Sequence, residues 1–242
     1  MKKCINHMDA DCIESIRSKV LATPKTRANL DFYSDECFSS YCGGGTCNVC
    51  VLASNGDAIA ITSSINSAYG AMFASPSTGI ILNNHMMDFN VAKDPLSLND
   101  VEPEKQPLSS MSPTIILNKS TGLIRLVIGA AGGPKIITAV SQIILEHILY
   151  EVPLEEAMEN RRLHHQLMPM KLFYEGGFPY VREMRDFGHE VEELRTININ
   201  DLFIHLSSSA SSIQLIDGVV KAFGDKRRHG SGATTQKTND SV

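Results

Sequence analysis

The reading of this 242-residue chain turns on Gly43-Gly44-Gly45-Thr46-Cys47-Asn48-Val49-Cys50-Val51-Leu52-Ala53 and the Ser54-Asn55-Gly56-Asp57-Ala58-Ile59-Ala60-Ile61-Thr62 that follows. Three glycines with no side chain to bury, a run typical of a flexible linker, give way within one residue to two short apolar segments. Residues 48–53 read as a strand, Asn55-Gly56 as a two-residue hairpin turn, and residues 57–62 as the return strand. A fold therefore begins near Thr46, and what precedes it differs in kind.

Upstream, one short helix is expected over residues 12–21, where Ile13, Ile16 and Val20 recur at helical spacing. Otherwise residues 1–45 read poorly as a domain. All six cysteines (Cys4, Cys12, Cys37, Cys42, Cys47, Cys50) lie in the first fifty residues, whereas a disulfide-stapled fold would spread them through the chain. Downstream comes a loop with Pro76 and Thr78-Gly79, then the apolar run Ile80-Ile81-Leu82 and a polar, proline-bearing surface loop over 88–107. A second hairpin is expected from 114–118 and 123–128, running straight into Gly129-Ala130-Ala131-Gly132-Gly133. Pro134 then opens an apolar helix over 135–150, with shorter helices over 154–161 and 180–187. A strand over 191–197 and a last hairpin, 213–216 with 219–223 turning at Asp217-Gly218, complete the domain. Beyond Asp225 the tail offers almost nothing to bury and is expected to be disordered. The expected division is thus 1–45 as a remnant or linker, 46–225 as a domain, and 226–242 as a tail. Hairpins enclosing two adjacent helices fit an α+β layered domain better than a parallel βαβ sheet.

Composition excludes several classes. A 43% hydrophobic share with 20% charged residues can bury a core, which argues against a disordered chain. A formal net charge of −5 gives no electrostatic footprint for nucleic acid. No stretch approaches the roughly 20 apolar residues that span a bilayer, and residues 1–20 lack the apolar centre of a signal peptide.

Five features can carry chemistry. Cys37, Cys42, Cys47 and Cys50 put four thiols within fourteen residues. Their spacing is not that of a zinc site, and residues 47 and 50, an odd number apart on a strand, face opposite ways. They read first as small buried hydrophobes and incidental thiols, with a metal or redox site and an extracellular disulfide as the lesser alternatives, and no metal ligand is named. Histidines His85, beside Asp88, and His164-His165 fit neither a helical zinc protease nor a hydrolase elbow. The glycines at 129–133, at a strand-to-helix junction, suit either an oxyanion hole or tight packing. Ser109-Ser110, between Pro107 and Pro113, can present two hydroxyls rigidly, or belong to an ordinary serine-rich loop. Thr46 is a weak nucleophile as it stands. Freed at its amino end, it would carry its own base, an α-amine of pKa about 7.7–8.0 in model peptides.

Taken together, Gly44-Gly45-Thr46, Thr62-Ser63-Ser64-Ile65-Asn66, Ser75-Pro-Ser-Thr-Gly-Ile-Ile-Leu-Asn-Asn84, Lys105-Gln-Pro-Leu-Ser-Ser-Met-Ser-Pro-Thr114, Gly129-Ala-Ala-Gly-Gly133 and Arg162-Leu-His-His-Gln-Leu167 resemble the small subunit of γ-glutamyltransferase (glutathione hydrolase), of the N-terminal nucleophile hydrolase superfamily. The six motifs stand in the family's order at matching separations, from Thr46 to about Gly232, while residues 1–45 resemble only the end of the large subunit. The resemblance implies the small-subunit half of an αββα sandwich, without cofactor. It implies self-cleavage before Thr46, whose hydroxyl then attacks the γ-glutamyl carbonyl of glutathione or a related compound. Water, or an acceptor amino acid or dipeptide, takes the acyl group. It places Ser64 beside the nucleophile and Gly132 and Gly133 at the oxyanion hole. Ser109 and Ser110 fall at the substrate carboxylate, and Asn66, His85 and Asp88 around its amine. It implies a large subunit as partner and the outer face of the plasma membrane as location, although this chain shows no signal or anchor of its own.

The departures matter as well. Cys47, Asn48 and Cys50 stand where the family usually has a small residue, His and Ser, and Ser64 replaces a threonine. His85 replaces a Glu or Gln beside the substrate amine, and a neutral imidazole is a weaker partner for an ammonium than a carboxylate. Nearly all the large subunit is missing, including an arginine for the substrate carboxylate. Two hypotheses follow: the catalytic portion of a γ-glutamyltransferase, or a light-chain-only homologue without useful activity, serving as a binding or regulatory protein.

Overall fold

A computed structural model describes residues 10–22, 25–26, 45–90, 99–194, 208–216, 218–228 and 230–234. In chain order its elements are α1 (Ala10–Leu21), β1 (Thr46–Leu52), β2 (Ala58–Ser64), β3 (Thr114–Leu117), β4 (Ile124–Ala131), α2 (Lys135–Ile144), α3 (Leu154–Glu159), β5 (Leu163–His164), β6 (Leu172–Glu175), α4 (Val181–Asp186), β7 (Val191–Leu194), β8 (Ser209–Ile216) and β9 (Val219–Gly224). Short 3-10 helices occupy His85–Asp88 and Lys226–Arg228. Among the described residues no helix is long and apolar enough to cross a membrane.

The opening hairpin forms, two residues earlier than the sequence suggests: β1 and β2 pair antiparallel from Thr46↔Ser64 to Leu52↔Ala58. Its turn is longer than the expected two residues. The Ala53 N–H donates to Asp57 O at 2.8 Å across a three-residue loop, and Gly56 takes the left-handed φ of 94° that such a loop needs. Alternation sends Thr46, Asn48, Cys50 and Leu52 to one face and Cys47, Val49 and Val51 to the other.

The polar face of this hairpin lies on a four-stranded antiparallel sheet of order β3-β4-β8-β9. Gly129 sits directly beneath Asn48, and a Cβ there would come 2.2 Å from the Asn48 amide nitrogen. The opposite face of the sheet is sealed by helices. Leu126, Ile128 and Ala130 of β4 and Ala210 of β8 bury against Ile136, Val140 and Ile143 of α2 and Leu154, Ala157 and Met158 of α3. The expected helix over 135–150 is present, but its last turn, Leu145–Leu149, widens to a π-helix. The described layers are therefore helix, sheet, hairpin, an α+β arrangement, with the outer face of the hairpin uncovered.

Three differences from the sequence reading have physical causes. β5 and β6 were not anticipated, and β6 pairs parallel with β7 around α4, a small βαβ unit beside the main sheet. Two- and four-residue strands give too little alternation to be seen. β8 begins at Ser209 rather than 213: three serines mask the hydropathy of a strand whose Ala210 enters the core. The remainder of the expected strand 191–197 beyond Leu194 lies outside the described residues.

The tail, thirdly, is not wholly without anchors. Arg227 pairs with Glu175 at 2.7 Å and with Asp225 at 3.2 Å, and Arg162, 5% exposed, pairs with Asp225 at 2.7 Å. The arginine fork finds buried carboxylates that hydropathy does not register.

Candidate active site

Thr46 opens β1 and Ser64 closes β2, so hairpin register alone sets them opposite one another, and their hydroxyl oxygens stand 2.8 Å apart. Ser64 Oγ also accepts from the Asn66 N–H at 2.9 Å. Asn66 is buried with φ 70°, a left-handed conformation that asparagine tolerates better than most residues. Its carbonyl accepts from the Gly45 N–H at 2.7 Å, and the Ile65 N–H donates to Gly45 O at 3.0 Å. The chain thus continues the ladder one residue upstream of Thr46. Only glycine fits there, since a Cβ on Gly45 would lie 2.2 Å from Ser67 O.

The 3-10 turn after Asn84 carries His85 and Asp88. Their side chains pair through Nδ1 and Oδ2 at 2.7 Å, and His85 Nε2 reaches Ser64 O at 3.1 Å. Asn99, 2% exposed, joins this turn to the serine loop: its Nδ2 donates to Asp88 O at 2.7 Å, and its Oδ1 accepts from the Leu108 N–H at 3.0 Å. In that loop Ser109 Oγ accepts from the Met111 N–H at 3.2 Å, and Ser112 Oγ donates to Ser110 O at 3.1 Å. Asn99 escaped the sequence reading because it sits in a polar stretch where one more asparagine carries no signal.

β4 delivers the glycines. Gly132 (φ 137°) packs against Ser208, and Gly133 (φ 61°) leads through Pro134 into α2. Thr46, Ser64, Asn66, His85, Asp88, Ser109, Ser110 and Gly133 line one cavity of about 340 Å³, while Gly132 is not among its walls. A further wall is Ile137 and Thr138 of α2 with His164, His165 and Gln166, residues of a family motif to which the sequence reading gave no role in the site. His164 is held by Thr138 Oγ1 at 2.9 Å and Gln166 Oε1 at 2.8 Å, and burial, with a smaller push from Lys135, lowers its pKa. Burial and the neighbouring His189 lower that of His165 as well. Both imidazoles are thus biased toward their neutral forms.

The thiols of the hairpin do not converge. Cys47 is exposed on the outer face. Cys50 lies between the sheets, donating to Ser211 O at 3.3 Å, and burial pushes its pKa up to about 11, an inert thiol. Asn48 joins the layers: its Nδ2 donates to Thr62 Oγ1 at 2.9 Å, and its Oδ1 accepts from Ser211 Oγ at 2.6 Å. Among the described residues no group of three or more His, Cys, Asp or Glu could hold a metal ion. Cys4, Cys37 and Cys42 lie outside them.

An arrangement of this kind offers a hydroxyl nucleophile, a second hydroxyl to orient it, a glycine corner at a helix start and hydroxyls aligned along the cavity. It suits acyl transfer. Comparison with known proteins agrees in kind. The family model described as gamma-glutamyltranspeptidase matches residues 3–235. Glutathione hydrolase 3 of Arabidopsis thaliana is 32% identical over 209 residues, covering 79% of this chain and 32% of its own length. Scoloptoxin SSD14 of Scolopendra dehaani is 36% identical over 157 residues, covering 61% of this chain and 27% of its own length. The chain therefore spans about a third or less of these curated relatives. Among solved structures, the T380A mutant of Helicobacter pylori gamma-glutamyltranspeptidase superposes with a TM-score of 0.64 at 30% identity, over 75% of this chain and 99% of that one.

Proposed function

This chain belongs to the gamma-glutamyltranspeptidase family, and we propose on that basis that it carries the nucleophilic half of an enzyme transferring or hydrolysing γ-glutamyl groups from glutathione and related amides. The observation that carries the proposal is the Thr46–Ser64 hydroxyl pair, 2.8 Å apart at the wall of the cavity and preceded by a glycine that nothing larger can replace.

In the first step the Thr46 hydroxyl attacks the Gly45 carbonyl carbon. The peptide nitrogen takes the hydroxyl proton and leaves, and water hydrolyses the resulting ester. The product is a chain whose first residue is Thr46, its α-amine beside its own hydroxyl. In turnover that amine takes the hydroxyl proton while the oxygen attacks the substrate's γ-carbonyl. Backbone N–H groups at the Gly132-Gly133 corner stabilise the developing oxyanion. The departing amine takes the proton, and water or an acceptor amine resolves the acyl-enzyme. Ser109 and Ser110 hydroxyls donate to the substrate carboxylate, while Asn66 and Asp88 lie toward the amine. His85 shares that end of the pocket, although its ring is already tied to Asp88 and Ser64.

A large subunit completes the sandwich in this reading. Val49, Val51, Ile59 and Ile61 are 49–54% exposed in a single stripe on the outer hairpin face, an apolar surface suited to a covering layer. By the same family likeness, the assembled protein is proposed to work at the outer face of the plasma membrane.

Intact mass after expression, alone and with a large subunit, tests the proposal. Self-cleavage yields a species of 197 residues (242 − 45) beginning at Thr46. Uncleaved chain in both preparations overturns it.

A further inference from the structure

The cavity's two sets of polar groups differ in how they would treat the charges on a substrate's α-carbon. Ser109 Oγ accepts a backbone N–H at 3.2 Å, which leaves its own proton to donate to an incoming carboxylate. Beside it, on the turn that Asn99 ties to the serine loop, the chemistry an ammonium needs is already engaged. Asp88 is the one carboxylate among the described residues lining the cavity, and the remaining ionisable groups there are His85, His164 and His165. Asp88 Oδ2 lies 2.7 Å from His85 Nδ1, while the other ring nitrogen is 3.1 Å from Ser64 O. The imidazole is therefore pinned between two acceptors on two elements, and it cannot swing away from Asp88 without giving up the Ser64 carbonyl. An ammonium has three donors to satisfy and binds best to an uncommitted carboxylate. Here it would have to share one with a ring that already occupies it at 2.7 Å.

Resting on the acyl-transfer reading above, we propose that the His85–Asp88 pair makes this a pocket for dicarboxylic half-amides without selection for an α-ammonium: glutaryl amides are accepted at least as well as γ-glutamyl amides. The covalent chemistry is unchanged. The amide carbonyl is attacked by Thr46 Oγ, the amine leaves with the hydroxyl proton, and water releases the diacid. Only the recognition of the acyl chain differs. His85 is in this sense a specificity-determining residue, acting through the carboxylate it holds.

The test uses the two free acids as probes. The full chain is titrated separately with glutarate and with L-glutamate, and binding is followed by amide-shift NMR. Glutarate is expected to bind at least as tightly as glutamate. His85→Glu, and as a second variant His85→Gln, should move the ratio toward glutamate by about tenfold, the scale of one charge-assisted hydrogen bond. Glutamate binding tenfold more tightly than glutarate to the unmodified chain overturns the proposal and leaves the γ-glutamyl reading standing. If neither acid binds even with a large subunit present, or if Ser109→Ala with Ser110→Ala leaves glutarate affinity unchanged there, the cavity is not the acyl pocket and both readings fall together.

Discussion

The two faces of the β3-β4-β8-β9 sheet follow opposite rules. On the helical face, every β4 residue that points inward is apolar and the layer above it is apolar too, from Leu126 and Ile128 to Ile143 and Met158. On the hairpin face the alternation is inverted: Thr46, Asn48, Thr62 and Ser64 point inward, and valines and isoleucines point to solvent. Burial energy of about 25 cal/mol per Å² holds the first face, whereas directed hydrogen bonds through Asn48 and Ser211 hold the second. A polar interior is costly unless every group finds a partner. Of these inward groups, Asn48 and Thr62 bond within the layers, while Thr46 and Ser64 line the cavity. The difference teaches that the side held by apolar burial and the side that carries the candidate site share one sheet, and that the outer surface of the second side exposes an apolar stripe.

The sharpest way to break this division is at the proposed nucleophile. Thr46→Ala should abolish the species beginning at residue 46 and lower turnover in the assembled enzyme by at least about 10³-fold. Mass spectrometry and release of a chromogenic amide leaving group check both, and folding should be untouched, because the lost hydroxyl contributes nothing to the helical face. Arg162→Ala should do the reverse. It leaves Asp225 and Glu175 buried near a single arginine and should cost about 3–5 kcal/mol of stability, read by urea denaturation. A loss below about 1 kcal/mol would show that the ionic cluster does not brace the fold.

Acid should reach the same cluster. Burial alone would raise the Asp225 pKa, but the charge of Arg162, the backbone donors of Arg227 and Ala210 and the charge of Arg227 outweigh it and hold it below its usual value. The folded state therefore keeps this carboxylate ionised to a lower pH than the unfolded chain does. Its contribution is present above the unfolded pKa of about 3.9 and is lost as pH falls through the lower folded value. Thermal melts from pH 6 downward should show Arg162→Ala narrowing its deficit against the unmodified chain in strong acid. A constant deficit would mean that the pairing contributes nothing that titrates. The smallest effect is expected on the outer face of the hairpin. Val49→Thr with Ile61→Thr should change the stability of the chain alone by no more than about 0.5 kcal/mol, yet weaken capture of a large subunit measurably in a pull-down. A loss of several kcal/mol in the isolated chain would show that this face is already covered.

Much of the fold was legible because its long elements are periodic. Alternation over residues 46–64 and the apolar helix after Pro134 need no tertiary information, and the structure shifts their ends by a few residues. The short pieces were not legible. β5 is two residues long, and the 3-10 helix that carries His85 and Asp88 is four. At those lengths the pattern is indistinguishable from a loop. The candidate site divided in the same way. Thr46, Ser109, Ser110 and the glycine corner are marked by residue chemistry, Ser64 and Asn66 only by the family resemblance, and eight of the residues to which the resemblance gives a role line the cavity. Asn99, His164 and His165 gain their place only because Asn99 ties two loops together and β5 sets the histidines against α2.

What the sequence by itself determined is the hairpin and the presence of a threonine behind a glycine that a strand immediately follows, because strand period and glycine freedom are local properties. What only the tertiary structure decided is the occupation of Asp88 by His85, the embrace of Arg162 and Arg227 by Asp225 and Glu175, and the exposure of the hairpin's apolar stripe. Each of these depends on which side chains meet across elements far apart in the chain, and no local pattern encodes the partner of a charge.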